Sequence, residues 1–264
     1  TGGAWHQNRT ADKLPLFQLP ANLLLYTTDL AAPLGRLETP PGPAPLPQTS
    51  TTVRVARLKH SGDWDVCPGA MGKLAAVLAE SLSIGLDVGA AIDPADGIDK
   101  GVALVWMTGT KPAKLSSAEK AKLKAYIVGG GTLFVDSAMG GEQPVADARA
   151  ALEEMFGKGS VKELPAAHPL ITGAFGGGIG CDLSNATYSR AAGVSDPLAG
   201  PAKPQGPPNL LYVDIDGRAA AVISPLSVTG PLQGHAIYNC RGLSIPDAAR
   251  LAANVVLYAV AGGR

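Results

Sequence analysis

Surplus charge of either sign is missing from this chain: 22 basic residues balance 22 acidic ones over 264 positions. The sequence therefore carries no basic footprint of the kind that marks nucleic-acid binding. Long apolar runs are missing too. The longest, Leu251 to Ala261, falls short of the roughly 20 residues that a bilayer span needs, which predicts no membrane span. Cysteine is scarce. Cys67, Cys181 and Cys240 are odd in number and widely spaced, fitting neither a disulfide framework nor a zinc knuckle, and are expected as separate thiols or small core residues. No Gly-x-Gly-x-x-Gly follows the first strand, and Lys111 has no Gly-x-x-x-x-Gly ahead of it, so neither a dinucleotide nor a nucleoside triphosphate site has support. No cofactor and no metal are expected. A starting methionine is absent at Thr1, which reads as a processed or excerpted chain and leaves any targeting segment out of view.

What is present is an alternation of strand-like and helix-like segments. Val53 to Leu58, a short run near Leu86 to Val88, Val102 to Met107 and Thr132 to Val135 read as buried strands. Between them lie helical patterns. Pro68 to Leu82 carries Met71, Leu74, Ala75, Leu78 and Leu82 on one face, with Pro68 suited to a first turn. Ser116 and Glu119 form a capping-box pair before Leu123, Tyr126 and Ile127, and Gly129-Gly130-Gly131 stops that helix. Val145 to Phe156 and Ile245 to Val260 complete the helices. This order predicts a three-layer α/β domain on a mostly parallel sheet. Leu210 to Ile215 and Ala219 to Ile223 flank Asp216-Gly217, a two-residue hairpin signal that predicts an antiparallel pair at one sheet edge. The glycine- and proline-rich excursion from His168 to Asn209 has no assignable pattern.

Residues 33–50 read as a proline-rich linker, with Pro40, Pro41, Pro43, Pro45 and Pro47 crowded together. Ahead of it, Ala21-Asn22-Leu23-Leu24-Leu25-Tyr26 matches Ala253-Asn254-Val255-Val256-Leu257-Tyr258, at an offset that also aligns Trp5 to Asn8 with Ile237 to Cys240. Residues 1–32 are therefore expected to be the closing helix of a preceding domain copy, and residues 51–264 the main domain. The helix around Leu16 to Tyr26 is apolar on the Leu19, Leu23 and Tyr26 face, which suggests docking on another surface or on a second copy in a homo-oligomer.

Several ordered motifs carry a resemblance. Arg57 to Asp65, Met107-Thr108-Gly109, the triple glycine before Thr132 to Asp136, His168-Pro169-Leu170-Ile171, Gly217-Arg218 before Ser224-Pro225, and Ala253 to Tyr258 together resemble the bacterial family called domain of unknown function 4159, from Val53 to the carboxyl end. The resemblance implies a flavodoxin-like fold of the class I glutamine amidotransferase-like group. It also implies a bacterial protein, in the cytoplasm or the cell envelope. Catalytic members of that group place a cysteine on a sharp strand-to-helix elbow, activated by a histidine. The corresponding corner here reads Val135-Asp136-Ser137-Ala138-Met139-Gly140, without a cysteine.

In open parallel sheets ligands bind beyond the carboxyl ends of the strands. The candidate binding residues are accordingly His60, Ser61, Asp63, Trp64 and Asp65 after the first strand, Thr108, Gly109 and Thr110 after the third, and Asp136 and Ser137 after the fourth. Each has a plainer reading. Ser137 lacks Gly-x-Ser-x-Gly spacing and suits a helix cap, and Gly62-Asp63 is also a turn pair. Trp64 can plug the sheet end, and His168 and His235 are isolated in sequence. Two functions remain in view: a non-catalytic binding or scaffold module of a larger multidomain protein, taking a small polar ligand or a protein partner, and a hydrolase or carbohydrate-active enzyme using Asp63, Asp65 and His168 or His235.

Overall fold

The computed structural model of the chain describes residues 18, 23, 47–176, 178–189, 205–234 and 240–262. Two compact units divide it, Thr1–Pro45 and Leu46–Arg264. The helix expected around Leu16 to Tyr26 lies outside the described residues except at Gln18 and Leu23, as do most of the proline-rich linker and His235.

The second unit opens with β1 (Thr51–Arg57), α1 (Ala70–Leu82) and β2 (Ile84–Val88). In α1, Ala70, Met71, Leu74 and Leu78 recur at helical spacing and are buried. Gly69 takes the N-cap, so Pro68 lies just ahead of the helix rather than in its first turn. β3 (Leu104–Gly109), α2 (Ser117–Val128), β4 (Thr132–Ser137) and α3 (Glu142–Phe156) follow. The Ser116–Glu119 capping box at the head of α2 is formed in both directions. Both β3 and β4 are buried at every residue. They run two residues further than their apolar letters indicate, because Thr108-Gly109 and Asp136-Ser137 continue the ladder pair by pair.

The remaining elements are β5 (Val161–Glu163), α4 (Pro169–Thr172), β6 (Ala186–Thr187), β7 (Gln205–Gly206), β8 (Leu211–Ile215), β9 (Arg218–Ser224), α5 (Thr229–Leu232) and α6 (Ile245–Val260). The main sheet has the order β2-β1-β3-β4-β9-β8-β5, and β6 and β7 make a separate two-stranded sheet. β2, β1, β3, β4 and β9 are mutually parallel. β8 runs antiparallel to β9 and β5 antiparallel to β8.

The hairpin turn at Asp216-Gly217 is present, with positive φ at both residues (54° and 79°), as a type I′ turn requires. Its place differs from the edge expected of it. β9 is buried from Ala219 through Ser224 and must therefore be covered on both faces, so it joins the parallel body. Three-residue β5, too short to show alternation, becomes the outermost strand.

Side-chain alternation sorts the core into two layers. Leu104, Trp106 and Phe134 point to the α1 and α6 side with Leu74, Leu78, Leu251 and Val255. Val105, Met107, Leu133 and Val135 point to the α2 and α3 side with Leu123, Ile127 and Leu152. The result is a three-layer α/β domain on a mostly parallel sheet. Trp106 and Phe134 lie with ring centroids 4.4 Å apart, tilted by 51°, an arrangement worth about 1 kcal/mol beyond area burial.

Polar side chains lock the end of the sheet where the parallel strands begin. The Tyr126 hydroxyl bonds to the Val102 and Thr132 carbonyls at 3.1 and 3.2 Å. Its ring occupies the space a Cβ at Gly131 would need, 2.2 Å away, which explains the last glycine of the triplet. Arg218 donates to the Ile127 and Gly131 carbonyls at 2.8 and 3.0 Å, placing a cation at the carboxyl end of α2. The Tyr258 hydroxyl accepts from the Ala219 N–H at 2.8 Å. One turn earlier on α6, fully buried Asn254 accepts from Cys181 N–H and donates to the Leu170 and Cys181 carbonyls.

Candidate functional site

At the opposite end, the loops after β1 and β3 meet where the strand order reverses direction. His60 is the centre of that contact. Its Nε2 lies 2.7 Å from the Thr108 carbonyl oxygen, and its Nδ1 lies 3.0 Å from the Gly62 N–H. A carbonyl can only accept and an N–H can only donate, so the ring is neutral with its proton on Nε2. Burial, the largest influence, holds its pKa below 6.5, against the opposing pull of the Thr108 carbonyl and the Asp63 carboxylate.

Two glycines make the close approach possible. A Cβ at Gly109 would lie 2.3 Å from the Gly62 carbonyl oxygen, and one at Gly62 would lie 2.2 Å from the Lys111 carbonyl oxygen. The seam continues through Lys111 N–H to the Gly62 carbonyl at 3.2 Å and Lys114 N–H to Ser61 Oγ at 3.2 Å. Asp63, in a left-handed conformation (φ 59°), accepts from Thr110 Oγ1 at 3.0 Å and pairs with Lys111 Nζ at 2.9 Å. Hydrogen bonding from Lys111 and then Thr110 holds its carboxyl below the usual range, so it stays ionised at neutral pH and cannot act as a general acid. Asp65 pairs with Arg57, whose guanidinium lies 5.2 Å from the Trp64 ring centroid.

Asp136 stands apart from that lip. It is 2% exposed, and its two carboxylate oxygens accept from Val228 N–H at 2.8 Å, Thr229 N–H at 2.7 Å and Thr229 Oγ1 at 2.7 Å. Thr229 Oγ1 in turn accepts from Trp106 Nε1 at 2.8 Å. Burial pushes the Asp136 carboxyl up in spite of these donors. The Thr108 hydroxyl is buried beside it, across the β3–β4 ladder. Asp136 is thus a buried anchor for the segment entering α5 rather than the wall of an open cleft.

Ser137 is fully buried, and its Oγ accepts from the Gly141 N–H at 2.8 Å, at the N-cap of α3. The elbow after it is closed over: Gly140 (φ 69°) packs against Arg241, whose carbonyl oxygen would lie 1.9 Å from a Cβ there, and Arg241 N–H bonds to the Met139 carbonyl at 3.1 Å. Ser227 Oγ holds the Ala138 carbonyl at 2.6 Å. Neither described histidine bonds to Ser137.

The structure thus brings together His60, Ser61, Asp63, Thr108, Gly109 and Thr110, with Trp64 and Asp65 beside them, and buries Asp136 and Ser137 beneath. His168 is not part of that group. It caps α4 by accepting from the Leu170 N–H at 3.2 Å, and its ring packs on Tyr258 with centroids 5.2 Å apart. His235 lies outside the described residues. Cys67, Cys181 and Cys240 are free thiols. Burial pushes the Cys67 thiol up to about 11 and raises that of Cys240, leaving neither as a thiolate nucleophile at neutral pH.

No cluster of three or more histidine, cysteine, aspartate or glutamate side chains among the described residues is arranged to hold a metal ion. No described helix is long and apolar enough to cross a membrane.

With this geometry in place, comparison by sequence matches residues 54–260 to the family described as Domain of unknown function (DUF4159). The chain belongs to that family. No curated protein matches it. The segments that carried the resemblance divide between the two ends of the sheet. Arg57 to Asp65 and Met107 to Gly109 form the loop seam, whereas the triple glycine, Arg218, His168 to Ile171 and Asn254 to Tyr258 build the lock.

Sequence reasoning missed the Thr229 cradle around Asp136 and the pairing of Lys111 with Asp63. Lys111 was visible as the residue after Thr110. Nothing in Ser227-Val228-Thr229 signals a carboxylate cradle, because its donors are mostly backbone groups.

Proposed function

We propose that this chain is a non-catalytic binding or scaffold module of a larger multidomain bacterial protein, built on an amidotransferase-like fold whose nucleophile site has degenerated. The strand order β2-β1-β3-β4-β9 supports the flavodoxin-like attribution, since that order is the one such doubly wound sheets use. The observation that carries the functional reading is the state of the elbow. Where catalytic relatives expose an activated cysteine, this chain has a serine with no exposure, its oxygen engaged by the Gly141 N–H. A nucleophile needs both access and a base, and Ser137 has neither among the described residues.

The exposed lip of Ser61, Asp63, Asp65 and Lys111, with half-buried Trp64, is then the recognition surface for a small polar ligand or a protein partner. The match between Ala21 to Tyr26 and Ala253 to Tyr258 supports a tandem arrangement, with residues 1–32 closing a preceding copy. Asn254 and Tyr258 make four hydrogen bonds inside their own domain, so a matching Asn22 and Tyr26 at the same spacing have a structural reason to recur.

The test is an assay of amidase, esterase and glycosidase substrates with the wild-type protein, Ser137→Ala and Asp63→Ala. The binding reading expects no turnover that any of these substitutions removes. Turnover abolished by Ser137→Ala would establish a serine hydrolase, and turnover abolished by Asp63→Ala alone would establish the carboxylate-dependent enzyme.

A further inference from the structure

The geometry points to the loop after β1, residues 59–65, being a proton-releasable plug over the crevice between β1 and β3, keyed in place by His60 in its neutral form. This goes beyond the binding reading and does not depend on which ligand the lip takes.

The argument starts from what the ring does. His60 uses both nitrogens to join the loops, donating from Nε2 to the Thr108 carbonyl and accepting at Nδ1 from the Gly62 N–H. A proton added at Nδ1 turns that acceptor into a donor. Two donors then face each other, and the Gly62 N–H, in a buried residue, loses its partner. Gly62 cannot adjust in place, because its α-carbon is packed against the Lys111 carbonyl and its own carbonyl against Gly109. Separation of the seam relieves the conflict. The bonds across the seam are polar, Asp63 is held in a left-handed conformation that costs a non-glycine residue about 1 kcal/mol, and half-buried Trp64 is the only large apolar side chain of the loop.

The charged groups on the segments packed around the ring are Lys59, Asp63 and Asp65 on its own loop, the last paired with Arg57, and Lys111, paired with Asp63, and Lys114 after β3. Beyond Thr108 lies buried Asp136. Asp63 is the carboxylate whose field favours the histidinium, and burial outweighs it. The closed loop therefore binds protons less well than the open one. Its closure is fully favoured above the free-imidazole pKa near 6.5 and weakens as pH falls below that value toward the lower pKa of the closed state. Opening uncovers the backbone of Gly109 and Thr110 at the place where open α/β sheets take ligands.

The experiment is amide hydrogen exchange of the whole chain between pH 7.5 and 4.5, corrected for intrinsic rates, with nitrogen NMR of the histidine rings alongside. The expected result is that protection at Gly62 and Lys111 falls by up to about tenfold per pH unit as pH drops below about 6.5, levelling off once the pKa of the closed-state His60 is passed, while amides in β3 and β4 keep theirs. His60→Gln, whose amide can make the same two bonds without titrating, should abolish the pH dependence. His168 also has a burial-lowered pKa, so His168→Gln serves as the control and should leave the loop response unchanged. Pure wild-type data suffice if the Gln variant fails to seat the loop: a His60 ring protonated on Nδ1 at neutral pH, or titrating at 6.5 or above, overturns the proposal. Protection at Gly62 and Lys111 that does not change with pH overturns it equally.

Discussion

The two ends of the central sheet are both held by polar contacts, yet they are built differently. Where the parallel strands begin, Tyr126, Arg218, Asn254 and Tyr258 each reach across to backbone groups of a distant segment, and Asn254 is wholly buried. Where β1 and β3 end, above the buried Asp136 cradle, the groups that join their two loops are His60, Asp63, Thr110 and Lys111, half-buried or exposed. Buried polar groups left without partners cost about 1–3 kcal/mol each, whereas exposed ion pairs contribute little. One end is therefore a lock on the fold, and the other is an adjustable lip carried by it.

Asn254→Ala sharpens this comparison most. It leaves the Cys181 N–H and the Leu170 and Cys181 carbonyls unpaired, and should cost about 3 kcal/mol in denaturant unfolding. Gly109→Ala comes next, because its Cβ meets the Gly62 backbone as well as the His60 ring. A loss of about 2 kcal/mol is expected, with protection lost at Gly62 and Lys111. Ser137→Ala removes the hydrogen bond to the Gly141 N–H and should lower stability by about 1 kcal/mol without altering ligand binding. Asp63→Ala should leave the melting temperature unchanged while changing binding at the lip. A larger thermal effect for Asp63→Ala than for Asn254→Ala would break the comparison.

The layers, the parallel order and the capping box were legible in the sequence, because Val102 to Met107 and Thr132 to Val135 are apolar on both alternating faces, and Ser116 and Glu119 are a local signal. The position of β9 was less so, since an Asp-Gly turn specifies a hairpin but not which of its strands faces the sheet interior. Of the site, the meeting of the His60 and Thr108 loops was legible from their places at adjacent strand ends. The burial of Asp136 was not, because it depends on Thr229, 93 residues away in the chain. Asn254 and Tyr258 stood out as a repeated pattern, but the role of Asn254 in the lock rests on Leu170 and Cys181, in an excursion without periodicity.

The most direct test of an adjustable lip on a locked scaffold is native-state hydrogen exchange at pH 7 in increasing low denaturant, read at four amides. Gly62 and Lys111 report the lip; Cys181 and Ala219, bonded to Asn254 and Tyr258, report the lock. The account predicts that Gly62 and Lys111 exchange through small local openings that denaturant does not affect, while Cys181 and Ala219 exchange only with global unfolding and with its full denaturant dependence. Equal protection and equal denaturant dependence at all four would contradict it.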